Sequence, residues 1–121
     1  LARAHSGQTL AVLTDQRGRP TYAPDLAEAL LDLVASGAPG GVYHAANVGE
    51  CSWHGFARAV LDAAGMQHVP IAETSAASLA RPAARPAYSV LDTDKLDRVR
   101  GRAFPTYQSA IERYLRAEQT L

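Results

Sequence analysis

The stretch Thr9-Leu10-Ala11-Val12-Leu13-Thr14 is a short, nearly continuous apolar run, and the sequence on either side of it sets the fold class. A run without polar alternation fits a strand buried on both faces, as in a parallel sheet covered by helices. The loop Asp15-Gln16-Arg17-Gly18-Arg19-Pro20-Thr21-Tyr22 follows, and Gly18 and Pro20 give it turn chemistry. Pro24 then suits the first turn of a helix, with Asp25 and Glu28 placing negative charge near the positive end of its dipole. Leu26, Leu30, Leu33 and Val34 recur at helical spacing until Gly37 ends the segment. Gly41-Val42-Tyr43-His44-Ala45 reads as a second strand. The order strand, helix, strand predicts an α/β fold with a parallel crossover, in which Thr9 to Thr14 and Gly41 to Ala45 lie side by side.

Working outward, Ser52 is a good N-cap for a second helix, whose apolar face is Trp53, Phe56, Ala57, Val60 and Leu61 and whose stop is Gly65. Val69 to Ala72 reads as a brief third extended segment. From Glu73 to Pro86 the chain is rich in alanine, serine and proline without periodicity, a length of loop that is usually functional or mobile. Asp92 or Thr93 can cap a short helix through Lys95 and Leu96. Thr106 can cap a last helix with apolar positions Tyr107, Ala110, Ile111, Tyr114 and Leu115. At the other end, Leu1 to His5 resembles the last turn of a helix stopped by Gly7, so the expectation is that Leu1 lies in the interior of a longer protein.

A chain of 121 residues is the size of one small domain. At that size roughly two thirds of the unfolded surface is buried on folding. With 47% hydrophobic and 20% charged residues the composition is that of a soluble globular protein rather than a disordered or fibrous one. Twelve basic residues balance twelve acidic ones, so no net field draws the chain to nucleic acid or to an anionic membrane. Lys95 is the only lysine, and a cationic set that is otherwise arginine suits bidentate recognition of phosphate, although codon composition produces the same skew. Cys51 is alone, which excludes an internal disulfide and a cysteine-rich zinc site and points to a reducing cytoplasm. No apolar run approaches the ~20 residues of a membrane span.

Several catalytic patterns are absent. Carbonyl reduction by a tyrosine general acid needs a lysine four positions later to lower the phenol pKa, yet the residue four before Lys95 is Leu91. Gly37-Ala38-Pro39-Gly40-Gly41 follows a helix and precedes a strand, the reverse of a pyrophosphate-binding turn. His5, His44, His54 and His68 lack metal-ligand spacing, and Ser52 and Ser89 sit in no nucleophile elbow. No catalytic, cofactor-binding or metal residue is therefore expected in this chain.

What remains is a set of ordered segments. They are Asp15 to Tyr22 with Asp25-Leu26-Ala27, then Gly41-Val42-Tyr43-His44-Ala45-Ala46-Asn47, then Gly49-Glu50-Cys51-Ser52-Trp53 with Phe56-Ala57, and finally Arg85-Pro86-Ala87-Tyr88-Ser89-Val90-Leu91-Asp92 before Lys95-Leu96. In this order the chain resembles the carboxyl-terminal half of the dTDP-4-dehydrorhamnose reductases, extended short-chain dehydrogenases of sugar-nucleotide metabolism. The resemblance implies the carboxyl-terminal part of a Rossmann-type fold, with edge parallel strands and a small, mainly helical substrate lobe spanning residues 1–121. It implies a dTDP-sugar ligand, and an amino-terminal Rossmann half, absent from these residues, that binds NADPH and carries the tyrosine-lysine dyad. The parent enzyme would reduce dTDP-4-dehydro-L-rhamnose to dTDP-L-rhamnose for cell-surface polysaccharide, and this chain alone would be inactive. Homo-oligomers through an exposed sheet edge are a further expectation.

Four residues are the expected substrate contacts: Arg85, Gln16, Thr21 and Ser89. Related sugar-nucleotide enzymes use an arginine before proline to reach the diphosphate or ribose, and a guanidinium forks onto phosphate oxygens. Without the resemblance, Arg85 reads rather as an arginine on a solvated loop, and Ser89 equally as a hydroxyl bonded within its own turn. Gln16 and Thr21 sit on a loop leaving a strand, where α/β proteins place ligands. A serine is common in the family where Arg19 stands; Arg17 and Arg19 are either additional phosphate contacts or solvated arginines. Trp53 reads as the anchor packing its helix onto the sheet rather than a stacking platform, and Asp15 and Asp25 are open between ligand and local structure. Two other readings stand beside the reductase: a non-catalytic module like the regulatory subunit of methionine adenosyltransferase, and a sibling sugar-nucleotide epimerase or dehydratase. An upstream tyrosine-lysine dyad separates reductase from regulator, and the Asp15 to Thr21 loop leans towards the reductase.

Overall fold

The computed structural model describes residues 1–79 and 82–118. In chain order its elements are α1 (Ala2–His5), β1 (Leu10–Leu13), β2 (Arg17–Gly18), α2 (Ala23–Ala35), β3 (Cys51–Ser52), α3 (Trp53–Ala63), β4 (Ile71–Thr74), a 3₁₀ turn (Ala76–Ser78), α4 (Asp94–Arg100) and α5 (Tyr107–Glu118). They form two compact units. The first contains Leu1–Gly18 and Cys51–Ser89, and the second Arg19–Glu50 with the chain from Val90 onward.

In the first unit β1 runs parallel to β4, with Leu10 opposite Ile71 and Leu13 opposite Thr74. Thr14 prolongs the ladder, its amide donating to the Thr74 carbonyl at 3.1 Å. α3 packs on both strands, and its Leu61 is buried with Ala4 and Met66 against Leu10, Val69 and Ile71. Ser52 caps α3 as its sequence predicts, accepting from the Gly55 amide at 3.0 Å. Arg17–Gly18 pairs antiparallel with Cys51–Ser52.

The α/β character is as expected, but the strand pairing is not. Gly41 to Ala45 forms no strand and belongs to the second unit, and the partner of β1 is the extended segment expected at Val69 to Ala72, here Ile71–Thr74. The physical reason lies in where the backbone groups around Gly41 to Ala45 find partners. Lys95 Nζ donates to the Val42 carbonyl at 3.0 Å, and Arg19 donates to the carbonyls of Asn47 at 2.8 Å and Ala46 at 3.5 Å. Val48 then exchanges bonds with Pro105 and Tyr107. Side chains and a single bridge to Thr106 replace a ladder. Nor is β1 buried throughout: only Leu13 is buried, Leu10 and Val12 are half-buried, and Ala11 is exposed.

The second unit is built on α2, α4 and α5. Ala29, Leu96 and Phe104 are its buried core, with Leu33, Tyr43, Ala45 and Val48 packed around them. The inward row of α2 is thus Asp25, Ala29 and Leu33, spaced four apart, whereas Leu30 and Val34 from the expected apolar stripe are exposed. Thr93 takes the N-cap position of α4, but its hydroxyl donates to Asp97 at 2.9 Å while Asp92 accepts from the Asp94 amide at 2.9 Å. Thr106 caps α5 through the Ser109 amide at 3.2 Å.

Candidate functional site

The first unit carries an open groove of about 730 Å³ along the exposed side of β1. Ala11, Val12 and Leu13 form an apolar wall, and Gln16, Trp53, Arg85 and Ser89 bring polar and aromatic groups to it. Of the four expected contacts, the fold gathers Gln16, Arg85 and Ser89 on this one groove. Thr21 does not join them: it lies in the second unit, exposed, with its hydroxyl donating to the Arg19 carbonyl at 3.4 Å.

Backbone pairing explains how residues 16 and 85–89, so distant in sequence, converge. The Arg17 amide donates to the Ala87 carbonyl at 2.8 Å and the Arg17 carbonyl accepts from the Ser89 amide at 2.9 Å, which pins the Arg85 to Ser89 segment beside β2. The Ser89 hydroxyl also donates to the Arg17 carbonyl, at 3.1 Å. Its proton is thereby engaged, and what it offers a ligand is an acceptor lone pair. Arg85 is an exposed residue on the rim of this groove. Asp15, at the end of β1, accepts from the Ala76 amide at 2.8 Å and ties the start of the 3₁₀ turn to the strand.

Gln16 is unlike its neighbours. Only 8% of it is exposed, and its Nε2 has no hydrogen-bond partner. Trp53 departs from the role its sequence position suggests: at 55% exposure it is not a buried anchor, and the ring meets Phe56 edge-on at 6.5 Å while lining the groove. The signal that could have found it is its place directly after the Ser52 cap, at the start of α3, where a side chain emerges at the sheet end.

The polar groups of the second unit are committed to structure. Arg19 donates to the Asn47, Leu91 and Ala46 carbonyls and to the Thr93 hydroxyl at 2.7 to 3.5 Å, which answers the phosphate-contact alternative: it is a clamp on main-chain oxygens. Asp25, 4% exposed, receives both Arg113 terminal nitrogens at 2.6 Å and the Asn47 amide at 2.6 Å. The Arg113 hydrogen bonds hold the Asp25 carboxyl below the usual carboxylate range against the opposing effect of burial, with the Asn47 bond adding to them. Asn47 also accepts from the Tyr22 amide at 2.7 Å and donates to the Pro105 carbonyl at 3.0 Å, joining the start of α2 to the approach to α5. In the sequence Asn47 is marked only as the end of the Gly41 to Asn47 segment, without a role.

The RmlD substrate binding domain model matches residues 1–120 of the chain. The spore coat polysaccharide biosynthesis protein SpsK of Bacillus subtilis (strain 168) is 42% identical over 91 residues, 75% of this chain and 31% of that protein. A dTDP-4-dehydrorhamnose reductase of Mycobacterium tuberculosis is 48% identical over 82 residues, 68% of this chain and 27% of the reductase. The crystal structure of dTDP-4-dehydrorhamnose reductase from Bacillus anthracis in complex with NADP matches with a TM-score of 0.84 at 30% identity, covering 94% of this chain and 40% of that one. The chain therefore spans between 27% and 40% of the length of these relatives. A match that runs through the groove and the Asp25 network alike establishes that the chain belongs to the RmlD substrate-binding domain family, the carboxyl-terminal part of the dTDP-4-dehydrorhamnose reductases.

Proposed function

We propose that this chain is the sugar-nucleotide-binding portion of an NADPH-dependent reductase that converts dTDP-4-dehydro-L-rhamnose to dTDP-L-rhamnose in the cytoplasm. The observation that carries the reading is the convergence of Gln16, Arg85 and Ser89 on one groove of a chain in the RmlD substrate-binding domain family. Arg85 supplies the charge complement of a diphosphate, Pro86 restrains its approach, and Ser89 offers an acceptor beside it. These residues do not build a cofactor site. The glycines at 37, 40 and 41 follow α2 instead of opening a helix, so no amide-lined helix start faces a pyrophosphate there. NADPH is accordingly assigned to an amino-terminal Rossmann half, which would supply hydride binding and the proton-donating tyrosine.

Titration of dTDP by calorimetry tests the reading. Arg85→Ala should remove roughly 1.5 to 3 kcal/mol, the range for a hydrogen bond to a charged group, and weaken binding by about one to two orders of magnitude. Equal affinity in the two proteins would reduce Arg85 to a solvated surface arginine.

A further inference from the structure

β2 is only two residues long, yet the Arg85 to Ser89 segment hangs on it. Arg17 pairs with Ser52 on one side and bridges Tyr88 in parallel register on the other, bonding the Ala87 and Ser89 main chain. In a parallel ladder the next two bonds would run from the Arg19 amide to Ser89 and from the Leu91 amide to Arg19. Neither forms among the described residues, and Pro20, without an amide hydrogen, cannot carry the pairing further. The Arg19 guanidinium takes over where the ladder stops. On one side its Nη1 donates to the Leu91 carbonyl at 2.7 Å and to the Thr93 hydroxyl at 3.3 Å. On the other its Nε donates to the Asn47 carbonyl at 2.8 Å and its Nη2 to that of Ala46 at 3.5 Å. We propose that Arg19 is a positioning residue for the groove: by holding Leu91, two residues beyond Ser89, it sets the conformation in which Arg85 and Ser89 meet the dTDP moiety. This role rests on the dTDP-sugar reading and deepens it.

Burial shows which end of the clamp is fixed. Ala46, Asn47 and Thr93 are buried, and the Asn47 side chain is held besides by Asp25, Tyr22 and Pro105. Leu91 is exposed, and so is every residue from Arg85 to Ser89, so packing does little to fix that segment. Its restraints are main-chain bonds: two to Arg17, and the one that Arg19 makes to Leu91. Bonds from a charged donor are the stronger kind, and a planar fork of N–H groups reaches both flanks of β2 at once. A lysine ammonium on a flexible stem has no such fork. Loss of Arg19 frees Leu91 while the Arg17 bonds persist, so that Arg85 samples positions away from the diphosphate.

Calorimetric titration of dTDP into the chain and into its Arg19→Ala, Arg85→Ala and doubly substituted forms tests the role, with circular dichroism checking that each is folded. Arg19→Ala should weaken dTDP about tenfold, a change of about 1.4 kcal/mol that lies within the coupling found inside one hydrogen-bond network. Because Arg19 acts through the segment that carries Arg85, the two losses should not add: in the Arg85→Ala background, Arg19→Ala should cost much less than it does alone. A merely structural clamp would lower the urea midpoint and leave the two affinity losses independent. Arg19→Lys, which keeps the charge but loses the fork, should weaken dTDP as Arg19→Ala does, and it carries the test if the alanine form does not fold. Undiminished dTDP affinity in either folded Arg19 variant, or losses that add in the double variant, would overturn the positioning role while leaving the dTDP reading intact. Unchanged affinity in Arg85→Ala, or failure of dTDP to bind the unmodified chain, would overturn both.

Discussion

Asp25 shows how little of a residue's role is local. From sequence it is an acid near a helix start, explained by the dipole. In the fold it sits at 4% exposure and receives both nitrogens of Arg113, 88 positions away. Removing one member of a buried pair leaves the other charge uncompensated, at a cost of about 3 to 5 kcal/mol. The low end applies here, because the Arg113 side chain remains 36% exposed and can be rehydrated. Asp25→Asn should therefore lower the urea midpoint by the equivalent of roughly 3 kcal/mol, with groove binding of dTDP little changed at low denaturant. The same pair sets a pH dependence. Because the folded carboxyl titrates below its unfolded value of about 4, its contribution is complete above that value and is lost as pH falls through the folded pKa. Acid unfolding of Asp25→Asn should lack this part of the slope, so the stability difference between the two proteins should shrink as pH drops below about 4. A difference that stays constant down to pH 2 would contradict the assignment. Arg19 teaches the same lesson: a charged loop residue beside a candidate site serves as a clamp on carbonyls, and no property of the sequence distinguishes that from a phosphate contact.

At the scale of the element, ends were more legible than faces. Ser52 and Thr106 cap α3 and α5 through short-range bonds to residues three positions on, so their roles follow from local chemistry. Ser52→Ala should cost about 1 kcal/mol and Ser52→Asp much less, measurable as shifts in the denaturation midpoint. Equal midpoints for all three proteins would show that tertiary packing alone holds the first turn of α3. The packed face of α2 departs from its apolar periodicity for a definite reason. Periodicity selects Leu26, Leu30, Leu33 and Val34, but the row that packs contains a carboxylate, Asp25, whose burial is made tolerable by Arg113. Leu31 and Val34, 73% and 81% exposed, show that apolar spacing does not say which apolar residues this chain itself covers.

For the whole molecule, the absence of the tyrosine-lysine spacing and of a glycine-rich turn after a strand leads to a simple expectation. Mixed with NADPH and dTDP-4-dehydro-L-rhamnose, the chain should show no turnover, and NADPH consumption proportional to chain concentration would refute the assignment of chemistry to another part of the protein. Among the described residues, β1 and β4 pair only with each other, so each leaves one edge open. Open edges recruit further strands. Self-association is the companion expectation, checked by sedimentation at increasing concentration, and a species that stays monomeric throughout would count against it.

The sequence by itself determined what local chemistry and ordered motifs can determine. Helix ends follow from caps and glycines within a few residues, the α/β class from alternating segment types, and the family from four segments in register. It also placed Gln16, Arg85 and Ser89 as candidates, and the fold brought those three to one groove. Only the tertiary structure decided which strand pairs with β1, which side of α2 is inside, that Arg19 and Asp25 serve the scaffold, and that Trp53 faces the groove. Each of these depends on competition among partners far apart in the chain for the same hydrogen bonds and the same buried surface. Such competition is settled by the sum of long-range contacts, and residue type and spacing do not contain that sum.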